Sequence, residues 1–142
     1  MPYRYLEDVA IGDLAFEARA ESLRELFQEA ALALTSSMVD MASLRAVTEE
    51  VIRVEAMDEE SLLHAFLSEI VFLKDAKRLL LKTVEVEIAK TDSGLRLRAL
   101  GMGEQIDARR HQLGVDVKAV TYHGFRVISD AKGWSCTVVL DV

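Results

Sequence analysis

Four residues, Thr91, Asp92, Ser93 and Gly94, separate two runs that alternate between apolar and polar side chains. Asp and Ser hydrogen-bond their own nearby backbone, and Gly adopts angles closed to other residues, so this is hairpin chemistry. The flanking runs, Leu79–Lys90 and Leu95–Met102, are therefore expected to be antiparallel neighbours. A second hairpin is expected from Phe125–Ile128 and Trp134–Leu140 around Ser129–Gly133. Two hairpins in 142 residues favour antiparallel pairing over a doubly wound parallel sheet.

Two segments break the strand period. Ser22 followed by Glu25 is a capping-box signature, and Leu23, Leu26, Phe27, Ala30, Ala31 and Leu34 follow at helical spacing. This first helix is expected to fade near Ser36 and Ser37. Asp58, Glu59 and Glu60 suit the positive end of a second helix, which runs to about Lys77. Leu62, Leu63, Phe66, Leu67, Ile70, Val71 and Leu73 form its apolar stripe, and Lys74, Lys77 and Arg78 suit its negative end. Further strands are expected at Tyr3–Leu6, Leu14–Arg19, Val47–Ala56 and Val115–Tyr122, with Ile106–Leu113 a short polar segment. The predicted fold is α+β: one domain over residues 1–142, a mixed, largely antiparallel sheet, and two amphipathic helices packed on one of its faces.

Composition bounds the function. One Pro and seven Gly leave little room for linkers. The single cysteine, Cys136, sits in an apolar run and reads as a buried, inert thiol, in keeping with a reducing cytoplasm. No apolar run approaches the length of a membrane span, and Met1–Tyr5 lacks a signal core. A net charge of −7 repels phosphate backbones, so broad nucleic-acid binding is not expected. Any link to RNA would run through a basic protein partner. No phosphate loop, dinucleotide fingerprint, zinc spacing or serine elbow is present. Ser36, Ser37 and Ser68 read as helix-surface residues.

The chemistry-bearing stretch is Val117–Phe125, which sets Lys118, Thr121, Tyr122 and His123 into a run that otherwise alternates like a strand. Strict alternation would put Lys118, Val120 and Tyr122 on one face and Ala119, Thr121 and His123 on the other. The sequence closes on Leu140, Asp141 and Val142, which sets a side-chain carboxylate beside the terminal one. These two pieces and Asp13 are expected to form one site. Glu7, Asp8 and Asp40 are further carboxylates near element ends. Oxygen-only clusters suit hard divalent cations; the alternative is that these are solvated turn residues and caps. Lys118 either snorkels from a sheet edge or neutralises Asp13 and Asp141. His123 is a candidate general base with no nucleophile paired to it in sequence. His64 belongs at the core edge or the surface, and His111 beside Arg109 and Arg110 forms a small basic patch or a solvated turn.

Several of these stretches together resemble a known family. They are Tyr5-Leu6-Glu7; Ala10, Ile11, Gly12 and Asp13; Ser22 to Phe27; Leu62-Leu63 with Phe66, Leu67 and Glu69; Gly103-Glu104 with Arg110-His111; the run from Lys118 to His123; and the closing Asp141-Val142. Over nearly its whole length the chain resembles archease, the small activator protein of the GTP-dependent RNA-splicing ligase. Archeases usually carry His-Thr-Ala-Asp where this chain has Ala10, Ile11, Gly12 and Asp13, so the Asp is kept while the His and Thr are not. The resemblance implies a divalent metal site of Ca or Mg/Mn type, held by Asp13, Asp141 and the Val142 carboxylate. Lys118 lies close by, and Lys118, Asp40 and His123 are expected to serve the partner. It implies a non-catalytic role: promoting transfer of GMP from GTP onto the ligase and permitting repeated turnover. The competing readings are a small metal-dependent phosphoester hydrolase, with His123 as base, and a metal-free interaction module.

Overall fold

The computed structural model describes residues 2–7 and 12–142. In chain order the described elements are β1 (Tyr3–Leu6), β2 (Asp13–Ala20), α1 (Leu23–Met38), a 3-10 turn (Met41–Ser43), β3 (Thr48–Ala56), α2 (Glu59–Lys77), β4 (Leu79–Thr91), β5 (Gly94–Gln105), β6 (Ala119–Val120), β7 (Arg126–Asp130) and β8 (Gly133–Asp141). The fold is α+β, and every described pairing is antiparallel. The strands form two sheets rather than the single one expected. One has the order β1-β2-β8-β6, with β7 also on β8; the other has the order β3-β5-β4. Each helix packs against strands of both sheets, so the helices do not share one face of one sheet. No helix among the described residues is long and apolar enough to cross a membrane.

The helices form where the sequence spacing puts them. Ser22 caps α1: its hydroxyl accepts from the Glu25 amide at 3.2 Å and donates to the Glu25 carboxylate. Asp58 caps α2, accepting from the Ser61 amide at 2.8 Å, and that bond draws the Asp58 carboxyl below its ordinary range. Caps of this kind contribute about 1 kcal/mol each. Burying one Leu or Phe contributes about 1.5–3 kcal/mol. Leu26, Phe27, Leu34, Leu62, Leu63, Phe66 and Leu67 are all fully buried, so packing, not capping, fixes the helices. Phe27 and Phe66 stack where α1 meets α2, with centroids 5.9 Å apart.

The β4–β5 hairpin is longer than expected, closing at Thr91 opposite Gly94. Gly103 and Glu104 lie inside β5. The β4 ladder shifts register between Leu81 and Thr83, which leaves Lys82 as an extra residue. The Lys82 ammonium bonds the Met41 and Leu44 carbonyls at 3.1 and 2.7 Å and so closes the 3-10 turn. Opposite the bulge, a Cβ at position 103 would overlap the Leu80 carbonyl oxygen, so only glycine fits there.

Glu104 gathers the segment that follows β5. The Asp107 amide donates to His111 Nδ1 at 2.9 Å, so the imidazole proton sits on Nε2 and is donated to Glu104 Oε1 at 2.8 Å. Glu104 also accepts from the Arg45 amide and pairs with Arg110. His111 is 5% exposed, so it is neither a solvated turn nor part of a basic patch. The His111 hydrogen bond comes first among the causes that hold the Glu104 carboxyl down to about 2. A depressed carboxyl contributes stability that is complete above its ordinary value of 4.5 and is lost as pH falls toward 2. The urea midpoint should therefore fall between pH 4.5 and 2, and Glu104→Gln should flatten that part of the profile. An unchanged profile in the variant would contradict the assignment. Cys136, as expected, is buried, and burial pushes its thiol up to about 12.

Candidate metal and partner site

The β2–β8 ladder fixes the site. Its register sets Leu14 opposite Leu140, Phe16 opposite Val138 and Ala18 opposite Cys136, and Phe16, Ala18, Val138 and Leu140 are fully buried. The inward set being even-numbered, the odd-numbered partners Asp13 and Asp141 emerge on the outer face, directly opposite each other. Directly opposed residues hold their Cβ atoms about 4.5–5.5 Å apart. On the other flank of β8, β6 sets Ala119 opposite Asp141. The Lys118 amide donates to the Asp141 carbonyl at 2.7 Å, and the Val142 amide donates to the Gly12 carbonyl at 2.9 Å. Three sequence-distant segments thus meet at Asp141, with Asp13 directly across the ladder from it. Among the described residues no three His, Cys, Asp or Glu side chains lie close enough together to hold a metal.

The other candidate residues sit differently. Lys118 is exposed and makes no ion pair among the described residues; it lines a groove with Ser68, Phe72 and Asp75 of α2. Asp40 caps the 3-10 turn, accepting from the Ala42 amide at 3.1 Å, while its own amide donates to the Gln112 carbonyl. His123 is exposed in the turn between β6 and β7, and no described hydrogen bond orients it. Glu7 is exposed at the end of β1; Asp8, Ala10 and Ile11 lie outside the described residues. The strand expected over Val115–Tyr122 shrinks to Ala119–Val120. Val117 and Val120 are the buried pair, three residues apart, so alternation fails and Lys118, Val120 and Tyr122 do not share a face.

A family model described as the Archease protein family matches residues 3–142. The chain belongs to the archease family. It is 35% identical to the archease of Archaeoglobus fulgidus over 142 residues, covering 100% of both chains. It is 33% identical to that of Pyrococcus abyssi over 132 residues, covering 92% of this chain and 93% of the relative. The solution structure of Methanobacterium thermoautotrophicum protein 1598 superposes with a TM-score of 0.84 at 31% identity, covering 99% of each chain. A Thermotoga maritima structure described as an archease and possible chaperone superposes at 0.62, covering 96% of this chain and 97% of that one; at 19% identity it supports the fold alone.

In this archease-family chain two residues hold the site's third segment in place, and sequence reasoning missed both roles. Lys74 is 7% exposed, and its ammonium donates to Asp116 at 2.7 Å and to the Val117 carbonyl at 2.6 Å, with Asp75 at 2.6 Å. Burial pulls this lysine's pKa down, but the bonds to Asp116 and Asp75 outweigh it and the net shift is upward. The signal was in the spacing: Lys74 falls four residues after Ile70 and seven after Leu67, on the apolar stripe. His64 Nε2 lies 2.8 Å from the Val120 carbonyl, so that nitrogen carries the proton and donates. Its ring stacks on Tyr122, with centroids 3.7 Å apart and planes 8° apart. Glu60 accepts from the Val127 amide at 3.1 Å, so α2 covers the outer edge of both β6 and β7. Lys74→Met should lower stability by about 1–3 kcal/mol, because a buried carbonyl loses its donor. Chemical denaturation measures this, and no loss would show that the lysine is a bystander.

Proposed function

We propose that this chain is a non-catalytic protein cofactor of a GTP-dependent RNA-splicing ligase, promoting ligase guanylylation and multiple turnover through an acidic, metal-binding tip. The observation that supports the reading is the pairing of Asp13 with Asp141 across β2 and β8. Like charges directly opposite repel, and a cation between them turns that cost into attraction. The donor set is oxygen-only, which suits Mg²⁺, Mn²⁺ or Ca²⁺. Asp13 and Asp141 would hold the cation, with the main chain at Val142 beside them. Two side chains fill only part of a coordination shell, leaving positions for water or for partner groups.

A cation held there supplies positive charge next to the ligase's GTP phosphates. The chain's own residues supply the rest. The β6 ladder keeps Lys118 beside Asp141, and Asp40 and His123 offer further polar contacts to the partner. Acceleration requires that the chain bind the guanylylation-competent ligase more tightly than the incompetent one. The hydrolase alternative is weaker, because His123 is neither paired with a nucleophile nor oriented by a described hydrogen bond.

The test mixes the protein with such a ligase, GTP and Mg²⁺ or Mn²⁺ and counts ligations per ligase molecule. The native chain should raise that count well above one, and Asp141→Ala should return it to the ligase's own level while circular dichroism stays native. Full activation by a folded Asp141→Ala protein would overturn the mechanism. Phosphoester turnover by the chain alone would overturn the non-catalytic reading.

A further inference from the structure

The sheet edges of this molecule are treated unequally. β6 and β7 are covered by His64 and Glu60 of α2. On β4, Gln28 of α1 accepts from the outward Val86 amide at 3.0 Å. β1 is only 4 residues long. β3 is an edge strand of 9 residues, and among the described residues only β5 hydrogen-bonds to its main chain. A long open edge is a template for another strand.

The outer face of β3 says which strand fits. Glu55 pairs with Arg96 at 2.9 Å, and inward-leaning Glu50 pairs with Lys77 at 2.6 Å. Glu49 and Arg53 have no ion-pair partner among the described residues. Arg53 lies directly opposite Arg98, whose far neighbour on β4 is Glu87, so the side of Arg53 left without an acid is the open edge. Between Glu49 and Arg53 lies Val51, 36% exposed.

We infer that β3 is a self-association surface whose partner is β3 of a second copy, antiparallel about a two-fold axis at Val51. In that register Val51 meets Val51, and Glu49 of each copy faces Arg53 of the other. Both unpaired charges are satisfied twice, as a symmetric interface requires. Centring the axis on Ile52 instead would oppose Glu49 to Glu55, and centring it on Arg53 would oppose arginine to itself. Centring it on Val54 would face Arg53 with Glu55, which Arg96 already holds, and would leave Glu49 unmatched, so the charges favour the register at Val51. The Asp13–Asp141 pair lies in the other sheet and takes no part in this contact.

Sedimentation of the full chain over a concentration series tests this. A reversible dimer is expected, weakened at least about tenfold by Arg53→Glu or by Glu49→Arg alone and restored by the double reversal. Both positions are exposed, so circular dichroism should show native folds. A chain that stays monomeric at roughly millimolar concentration would overturn the proposal. So would a dimer indifferent to both reversals, or a double variant that fails to recover.

Discussion

The antiparallel ladder between β2 and β8 is the constraint on which the rest depends. It joins segments that lie far apart in the sequence and carries the fully buried Phe16, Ala18, Val138 and Leu140 on its inner face. A one-residue slip would turn that apolar set outward, so the core itself fixes the register. The position of Asp13 against Asp141 follows as a consequence of core packing. The acids need no attraction of their own to stay together, and their repulsion is small beside the burial of four inward side chains.

The second constraint is α2. Its apolar stripe joins the core, and its polar positions do separate work on the neighbouring sheet. Glu60 and His64 bond the outward groups of β7 and β6, and one turn from the end Lys74 fastens Asp116 and Val117. β6 has only two residues in its ladder, too few to hold by itself. Its attachment beside Asp141 depends on these side chains as much as on the sheet. The stack of His64 on Tyr122 extends the same support into the exposed turn that carries His123.

Much of this was legible in the sequence because it is local. Turn chemistry marked the β4–β5 hairpin, and helical spacing marked α1 and α2, to within a few residues. Sheet order was not legible, since alternation says which side chains go inward but not which strand lies alongside. That is why one sheet was expected and two were found. The stretch leading into β6 misled for a related reason: Val117 and Val120 are both buried though three residues apart, because only Ala119–Val120 is strand, so the period of two did not apply. Asp13 and Asp141 were named from their residue type and from family resemblance, but their adjacency is a tertiary fact. Lys74 was readable from its stripe position and was assigned instead to the helix dipole, whereas the buried His111 carried no sequence signal beyond its neighbours.

The central claim is that Asp13 and Asp141 act as one oxygen donor set. Titrating trace Mn²⁺ into the isotopically labelled chain and recording amide signals tests it most directly, because paramagnetic broadening reports which residues surround the ion. The account predicts that the Asp13, Asp141 and Ala119 amides broaden together at the lowest Mn²⁺ levels. Broadening confined to one of these strands, or centred on another acidic surface while these amides stay sharp, would contradict it.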